Sequence, residues 1–138
     1  MSVIVTDTGF HDDDWIHGFS APAELPANTP PVLALDLASD AQPETLAGRL
    51  DQIDMIRVDF PSFADGRGFT IARRLRNMGF QGRLRARGHV IADQYAMARR
   101  AGFDEVEIDD TLAARQPADQ WAVRSNWRAH DYQSRLRA

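Results

Sequence analysis

The sequence contains no cysteine and no lysine, and each absence excludes kinds of chemistry. Without cysteine, the chain alone cannot form a disulfide, a thiol nucleophile, or the thiolate ligands of zinc ribbons and iron–sulfur clusters. Without lysine, it has neither a Schiff-base amine nor the lysine of a phosphate-binding P-loop. All sixteen of its basic side chains are therefore arginines.

Long apolar runs are also lacking. No stretch of the sequence approaches the roughly 20 consecutive apolar residues that a membrane helix needs. The N-terminus is acidic around residues 12–14, where a signal peptide would be basic. We therefore expect a cytoplasmic protein that binds no membrane. A length of 138 residues, of which 43% are apolar, is typical of one domain with a single core.

The charges are distributed unevenly along the chain. Residues 1–66 hold twelve acidic residues and two arginines, whereas residues 67–100 hold nine arginines and a single acidic residue, Asp93. The net charge of the whole chain is -4, and a basic block within an acidic protein argues against nucleic-acid binding. The block predicts either a solvated arginine-rich face or a local patch for an anion or an acidic surface.

We expect a single domain over residues 1–138. Residues 1–19 are predicted to form short N-terminal strands or a hairpin, because an apolar Val3–Val5 run precedes a Thr8-Gly9 turn. Residues 20–31 contain four prolines and are predicted to be a linker. The remainder divides into an alternating core at 32–110 and a helical tail at 111–138.

Within the core, short apolar runs alternate with helical patterns. The predicted strands cover residues 32–37, 55–60, 83–86 and 105–108, and the predicted helices cover 43–50, 69–78 and 90–101. This alternation indicates an α/β fold with about four βα units and a mostly parallel open sheet, either flavodoxin-like or half-barrel-like. An edge made by the N-terminal strands, with Trp15 and Ile16, would also allow a homodimer.

Polar residues lie late in the predicted strands or at their ends, at the edge where parallel α/β proteins bind ligands. They are Asp36, Asp59, Arg85, Arg87, Asp109 and Asp110. Each carboxylate has an ordinary alternative role as a cap of a helix or turn. Their shared position at one edge favours a binding role.

The turn Asp65-Gly66-Arg67-Gly68 lies between a predicted strand and a predicted helix. Its glycines would let the backbone approach a ligand, and Arg67 would supply a fork of donors for a phosphate, sulfate or carboxylate. As a dinucleotide fingerprint it is incomplete, because Ile71 stands where the third glycine belongs. A glycine-containing loop capped by Asp65 is the alternative.

Arg83, Arg85 and Arg87 alternate, so their side chains are predicted to share one face of a strand. Such a face must be solvated, paired with acidic residues or occupied by a ligand. At the next helix start, His89 and Asp93 are one turn apart, with Gln94 beside them, and could either bind a ligand or form a surface pair.

Two other classes of site are not supported. His11, Asp13 and His17 match no metal-binding spacing, so we expect no metal. The chain has no nucleophile-elbow motif and no complete flavin or nicotinamide fingerprint. We therefore expect no cofactor and favour a protein that is not an autonomous catalyst.

The segment from Phe63 to Phe103 resembles the bacterial domain of unknown function nine hundred thirty-four, DUF934. The resemblance is carried by the DGRGF turn and by later matches: Ala72-Arg73, Leu75-Arg76, Gly79-Phe80, Gly82, Leu84-Arg85-Ala86, Gly88, Val90, Asp93-Gln94 and Gly102-Phe103. The family usually has an acidic residue where this chain has His89, and often a cysteine where it has Ala101.

Members of that family are labelled as oxidoreductases of sulfite reduction and are often encoded beside assimilatory sulfite reductase. The resemblance implies a role in sulfur assimilation and cysteine biosynthesis. We expect an accessory protein that docks on sulfite reductase, or on another sulfur-assimilation enzyme, through an arginine-rich surface including Arg73 and Arg76. The alternative is a small enzyme or binding domain that holds an oxyanion or nucleotide-like ligand at the DGRG turn.

Overall fold

The computed structural model describes residues 2–22 and 32–127. Its strands are β1 (Ser2–Thr6), β2 (Gly9–Asp12), β3 (Ala34–Leu37), β4 (Met55–Phe60), β5 (Arg83–Gly88) and β6 (Glu105–Asp109). Its α-helices are α1 (Arg67–Asn77), α2 (Tyr95–Ala101), α3 (Asp110–Arg115) and α4 (Ala118–Ala122). Short 3-10 helices cover Pro43–Leu46, Leu50–Gln52 and Ala92–Gln94.

The six strands form one sheet in the order β2-β1-β6-β5-β4-β3. Strands β3 to β6 are parallel neighbours in sequence order, whereas β1 pairs antiparallel with both β6 and β2. The predicted α/β fold with a mostly parallel open sheet and N-terminal strands is therefore confirmed. The parallel strands lie side by side in sequence order without a reversal, so the sheet lacks the switch point of a flavodoxin-like fold.

The helices stack on one face of the sheet because all crossovers between sequential parallel strands have the same hand. Alternate strand residues such as Ile56, Val58 and Leu84 form a buried core with Leu75 of α1 and Tyr95 of α2. Both helices end at the Gly-Phe pairs of the sequence. Gly79 and Gly102 have φ of 102° and 118°, in the left-handed region that glycine tolerates.

Three predicted elements differ from the structure. The predicted helix at 43–50 is replaced by two short 3-10 helices, and the predicted helix at 90–101 is α-helical only from Tyr95. Trp15 and Ile16 follow the N-terminal hairpin instead of extending its edge. Most of the predicted linker, at 23–31, and the end of the predicted tail, at 128–138, lie outside the described residues.

Within the described residues, no helix combines the length and the apolar character needed to cross a membrane.

Candidate functional site

The face of the sheet opposite the helices is polar. Successive side chains of a strand point to opposite faces, so the residues between the core positions of β3 to β6 share this second face. They include Asp36, Arg57, Asp59, Arg83, Arg85, Arg87, Glu105 and Glu107. The sheet therefore has an apolar face and a charged face.

Arg85 is the centre of the charged face and has 0% of its side chain exposed. Its Nε donates to Glu105 at 2.6 Å, and its Nη1 donates to Glu107 at 2.9 Å. Both terminal nitrogens also donate to the carboxylate of Asp13, at 3.2 and 3.1 Å. Burial alone would lower the pKa of Arg85, but these carboxylates outweigh it and raise that pKa.

Arg57 and Arg83 extend the pairing on either side of Arg85. Arg57 binds Asp36 through two hydrogen bonds of 2.6 and 2.8 Å and reaches Glu107 at 3.0 Å. Arg83 donates to Asp14 and to Glu105, each at 2.8 Å. We call these three arginines and their carboxylate partners the ion-pair network; the carboxylates are those of Asp13, Asp14, Asp36, Glu105 and Glu107.

Residues 13–19 cover the ion-pair network. The guanidinium of Arg57 lies 3.7 Å from the ring centre of Phe19, and that of Arg83 lies 5.8 Å from the ring centre of Trp15. The bond from Arg83 is the main cause that holds the pKa of Asp14 below its ordinary value. Burial would raise the pKa of Asp13, but the Trp15 N–H and Arg85 outweigh it and lower that pKa.

The shared face predicted for Arg83, Arg85 and Arg87 is present, and acidic residues satisfy the first two of these arginines. Arg87 differs from them, because 49% of its side chain is exposed and its one ion pair among the described residues is a 3.4 Å contact with Glu107. Arg87 therefore keeps most of its donors available, whereas Arg85 has none to offer a ligand.

Arg87 lines a cleft at the carboxyl ends of β4, β5 and β6, which we call the carboxyl-end cleft. Its volume is about 400 Å³, within the range of about 300–1,000 Å³ typical of small-molecule sites. Its charged and polar walls are formed by Ser2, Asp59, Arg87, His89, Glu107, Asp109, Thr111 and Arg115. The imidazole of His89 packs edge-on against Phe63, with ring centres 5.2 Å apart.

The DGRG turn lies outside this cleft and is bonded internally. Arg67 donates to both carboxylate oxygens of Asp65, at 3.0 and 2.7 Å, and to the hydroxyl of Ser39 at 2.9 Å. The hydrogen bonds from Arg67 hold the pKa of Asp65 well below its usual range. The fork of Arg67 is therefore already occupied by partners within the chain.

Gly68 serves helix packing. A Cβ built on Gly68 would stand 2.4 Å from the ring of Phe60, whereas a Cβ on Gly66 would meet nothing nearer than 3.8 Å, at Phe69. Gly68 thus lets the first turn of α1 lie directly against β4. In a dinucleotide fingerprint the third glycine provides this close packing of helix on strand, and here Ile71 stands at that position.

Arg73 and Arg76 of α1 have different surroundings. Arg76 donates to the carbonyls of Phe80, Gly82 and Gly102 and to the carboxylate of Asp104, so it joins the ends of α1 and α2 to the starts of β5 and β6. Arg73 is exposed and has no bonded partner among the described residues. Only Arg73 of this pair presents a free guanidinium at the surface.

The predicted hydrogen bond between His89 and Asp93 is not formed, because His89 precedes the helical turn and lies in the carboxyl-end cleft. Asp93 instead pairs with Arg124. Gln94 accepts from the N–H of Ile91 at 3.1 Å and donates to the carbonyl of Phe63 at 3.0 Å, which makes it a helix cap. Of the three residues, His89 alone lines the cleft.

Two arginines of the site were not singled out from the sequence. Arg57 lies inside an apolar run, and its alternation with Asp59 was a signal that this strand also has a charged face. Arg115 ends α3 and gives no local signal, because only the fold brings the end of α3 to the cleft that Arg87 lines. Among the strand-end carboxylates, Asp109 caps α3 by accepting from the Leu112 N–H at 2.8 Å.

No group of three or more histidine, aspartate or glutamate side chains is arranged to hold a metal ion in residues 2–22 and 32–127. The carboxylates that do converge are those of the ion-pair network, and their partners are guanidinium groups.

A comparison with curated proteins finds no match. A family model described as a bacterial protein of unknown function, DUF934, matches residues 34–138, which include the four parallel strands and the helices between them. The N-terminal hairpin and residues 13–19 precede the matched region. The chain therefore belongs to the DUF934 family of bacterial proteins.

Proposed function

We propose that this protein is an accessory protein of assimilatory sulfate and sulfite reduction in the cytoplasm. The link to sulfur assimilation comes from the resemblance, through the genes beside which family members are encoded. The mode of action comes from the surface. We propose that the chain docks on sulfite reductase through arginines that its own carboxylates leave unpaired.

The observation that carries the docking proposal is the division of the basic block into paired and unpaired arginines. Most of the block forms ion pairs within the chain: Arg67, Arg74, Arg76, Arg83, Arg85, Arg87 and Arg99. Arg73 of α1 and Arg100 of α2 are exposed and have no carboxylate partner among the described residues. Arg100 donates from Nε to the Trp127 carbonyl at 3.3 Å, and its terminal nitrogens have no bonded partner in the same part of the chain. These two residues are available to an external carboxylate.

The helices that carry Arg73 and Arg100 are neighbours in the helical layer. Met97, which is 46% exposed, lies one turn before Arg100 on α2 and adds an adaptable apolar contact. Arginine pairs with carboxylates through two parallel hydrogen bonds, so the surface favours an acidic patch on the partner. We call Arg73, Met97 and Arg100 the helical docking surface.

The test is binding of the purified full-length protein to sulfite reductase from the same organism, measured by surface plasmon resonance at low and high salt. We expect Arg73→Glu with Arg100→Glu to weaken binding at least about tenfold, and the wild-type affinity to fall as salt rises. Arg124→Glu is the control, because it reverses a half-buried arginine just after α4 that pairs with Asp93 and lies outside the helical docking surface.

The docking proposal is overturned if the wild type does not bind at low salt, or if Arg124→Glu weakens binding as much as the double reversal. The other sulfur-assimilation enzymes encoded beside family members are assayed in the same way. Binding to one of them, with the same loss in the double variant, would change the partner and keep the surface.

A further inference from the structure

The carboxyl-end cleft is lined by two arginines whose guanidinium donors are mostly not engaged in bonds within the described chain. Arg87 has a single 3.4 Å contact with Glu107, and Arg115 is exposed with no bonded partner among the described residues. Both residues line the same cleft of about 400 Å³. In the ion-pair network, by contrast, each arginine has at least two short bonds to carboxylates. The cleft is therefore the part of the charged face where arginine donors remain available to an external anion.

The glutamate beside Arg87 does not neutralise the cleft. Glu107 already accepts from Arg85 at 2.9 Å and from Arg57 at 3.0 Å, so its charge is shared among several guanidinium groups. Arg87 lies at the outer end of this arrangement. A small anion in the cleft would gain the unused donors of Arg87 and Arg115 without displacing the bonds that hold Arg85.

Asp59 gives the cleft a second property. It is the cross-strand neighbour of Arg87 on the charged face, is half-buried, and has no ion pair or hydrogen bond among the described residues. An ionised carboxylate can only accept hydrogen bonds, so it repels a fully ionised anion and favours one that has a hydroxyl to donate. The other carboxylates that line the cleft already have partners, because Glu107 accepts from arginines of the ion-pair network and one oxygen of Asp109 caps α3. The cleft thus combines two cationic donors with one carboxylate that has no partner among the described residues.

We propose that the carboxyl-end cleft binds a small tetrahedral or pyramidal oxyanion that retains a proton, with Arg87 and Arg115 on its charged oxygens and Asp59 accepting from its O–H. Hydrogen phosphate and hydrogen sulfite belong to this class, whereas sulfate at neutral pH has no proton to donate. Thr111 is placed to add a hydroxyl to the same anion. This inference is independent of docking, because it involves no residue of the helical docking surface.

The test is isothermal titration calorimetry of the full-length protein with sodium phosphate, sodium sulfite and sodium sulfate at neutral pH and constant ionic strength. We expect saturable one-site binding of phosphate and sulfite, and weaker binding of sulfate. Arg87→Gln and Arg115→Gln should each weaken phosphate or sulfite binding about tenfold or more, since each removes a charge-assisted contact. Arg115→Gln changes an exposed side chain, so its result does not depend on the packing around Arg87.

Two further variants complete the experiment. Asp59→Asn should reduce the preference for phosphate and sulfite over sulfate, because an amide can also donate to a fully ionised oxyanion. Arg124→Gln, outside the cleft, should bind all three anions like the wild type. The proposal is overturned if no anion binds saturably, if Arg124→Gln loses as much affinity as Arg115→Gln, or if Asp59→Asn leaves the preference unchanged.

Discussion

The two faces of the sheet are built by different physical means from alternate residues of the same strands. On the helix-covered face, Val58 and Leu84 pack against apolar side chains, and this burial is favourable in any orientation. On the charged face, Arg57 and Arg85 are held by directed bonds to particular carboxylates. The apolar face can tolerate a change of shape, whereas the charged face depends on every partner being present.

This difference explains where a binding site can arise. A buried arginine needs its full set of carboxylates, so the centre of the charged face is closed to ligands. At the carboxyl ends of the strands, the pairing of arginines with carboxylates is incomplete, because Arg87 has only a 3.4 Å contact with Glu107. Arg87 shares the face of Arg83 and Arg85, but its side chain is half exposed. The carboxyl-end cleft therefore lies where the ion-pair network ends and an arginine keeps donors that no carboxylate of the described chain uses.

The charged face is tested most strongly by Arg85→Ala. It would leave the buried Glu105 and Glu107 without their central partner, and removing one member of a buried ion pair costs about 3–5 kcal/mol. We expect a loss of this size in the free energy of unfolding, measured by urea denaturation. Adding Glu105→Ala should recover part of the loss, because one orphaned carboxylate is then gone. An Arg85→Ala protein of wild-type stability would contradict the structural role of the network.

The packing of the apolar face is tested by the two glycines of the DGRG turn. Gly68→Ala would place a methyl group against the ring of Phe60, and overpacking of this kind costs about 1–3 kcal/mol. Gly66→Ala is the matched control, because its methyl group would meet only an ordinary contact. Thermal denaturation of both variants should show a clear fall in Tm for Gly68→Ala alone. An equal fall in Tm for the two variants would indicate that both glycines are needed for the conformation of the turn, and that Gly68 has no special role in packing α1 on β4.

The smallest effect concerns the pH dependence of the covering segment. The pKa of Asp14 lies below its ordinary value when folded, so the unfolded chain binds its proton first as the pH falls. The stabilisation from Asp14 is present above about pH 4 and is lost as the pH drops through the folded pKa. Asp14→Asn should therefore make the acid-side decline in unfolding free energy shallower.

That pH experiment is controlled by Asp12→Asn, which removes an exposed carboxylate of the same acidic run with no arginine partner among the described residues. A decline in Asp12→Asn as shallow as that of Asp14→Asn would show that general charge repulsion, not the bond to Arg83, governs acid stability.

Much of the fold could be predicted from local pattern. The N-terminal hairpin, the four parallel strands and helix α1 follow from alternation, helical periodicity and the Gly-Phe stops, because these signals act within about ten residues of the chain. The region 43–50 was predicted wrongly as one helix. The chain forms two short 3-10 helices there, over Pro43–Leu46 and Leu50–Gln52, and the first of them buries Pro43 and Leu46.

The candidate site could be predicted only in part. Asp59 and Arg87 were identified at the ends of strands and His89 at a predicted helix start, and the structure brings all three to the carboxyl-end cleft. Asp65, Gly66, Arg67 and Gly68 were identified from their spacing, but Arg67 is bonded to Asp65 and Gly68 packs on Phe60. Spacing reveals which donors are close in sequence, and it does not reveal which of them are already occupied.

Composition and strand alternation establish the chemistry available to this protein: arginine as the only fixed cation, no thiol, and a strand whose arginines must share one face. Which of these arginines are free depends on the folded chain. Pairing of Arg83 with Asp14 and of Arg85 with Asp13 joins residues about seventy positions apart. Because such contacts depend on how β1, β5 and β6 assemble, only the folded chain separates a structural cation from one that can bind an anion.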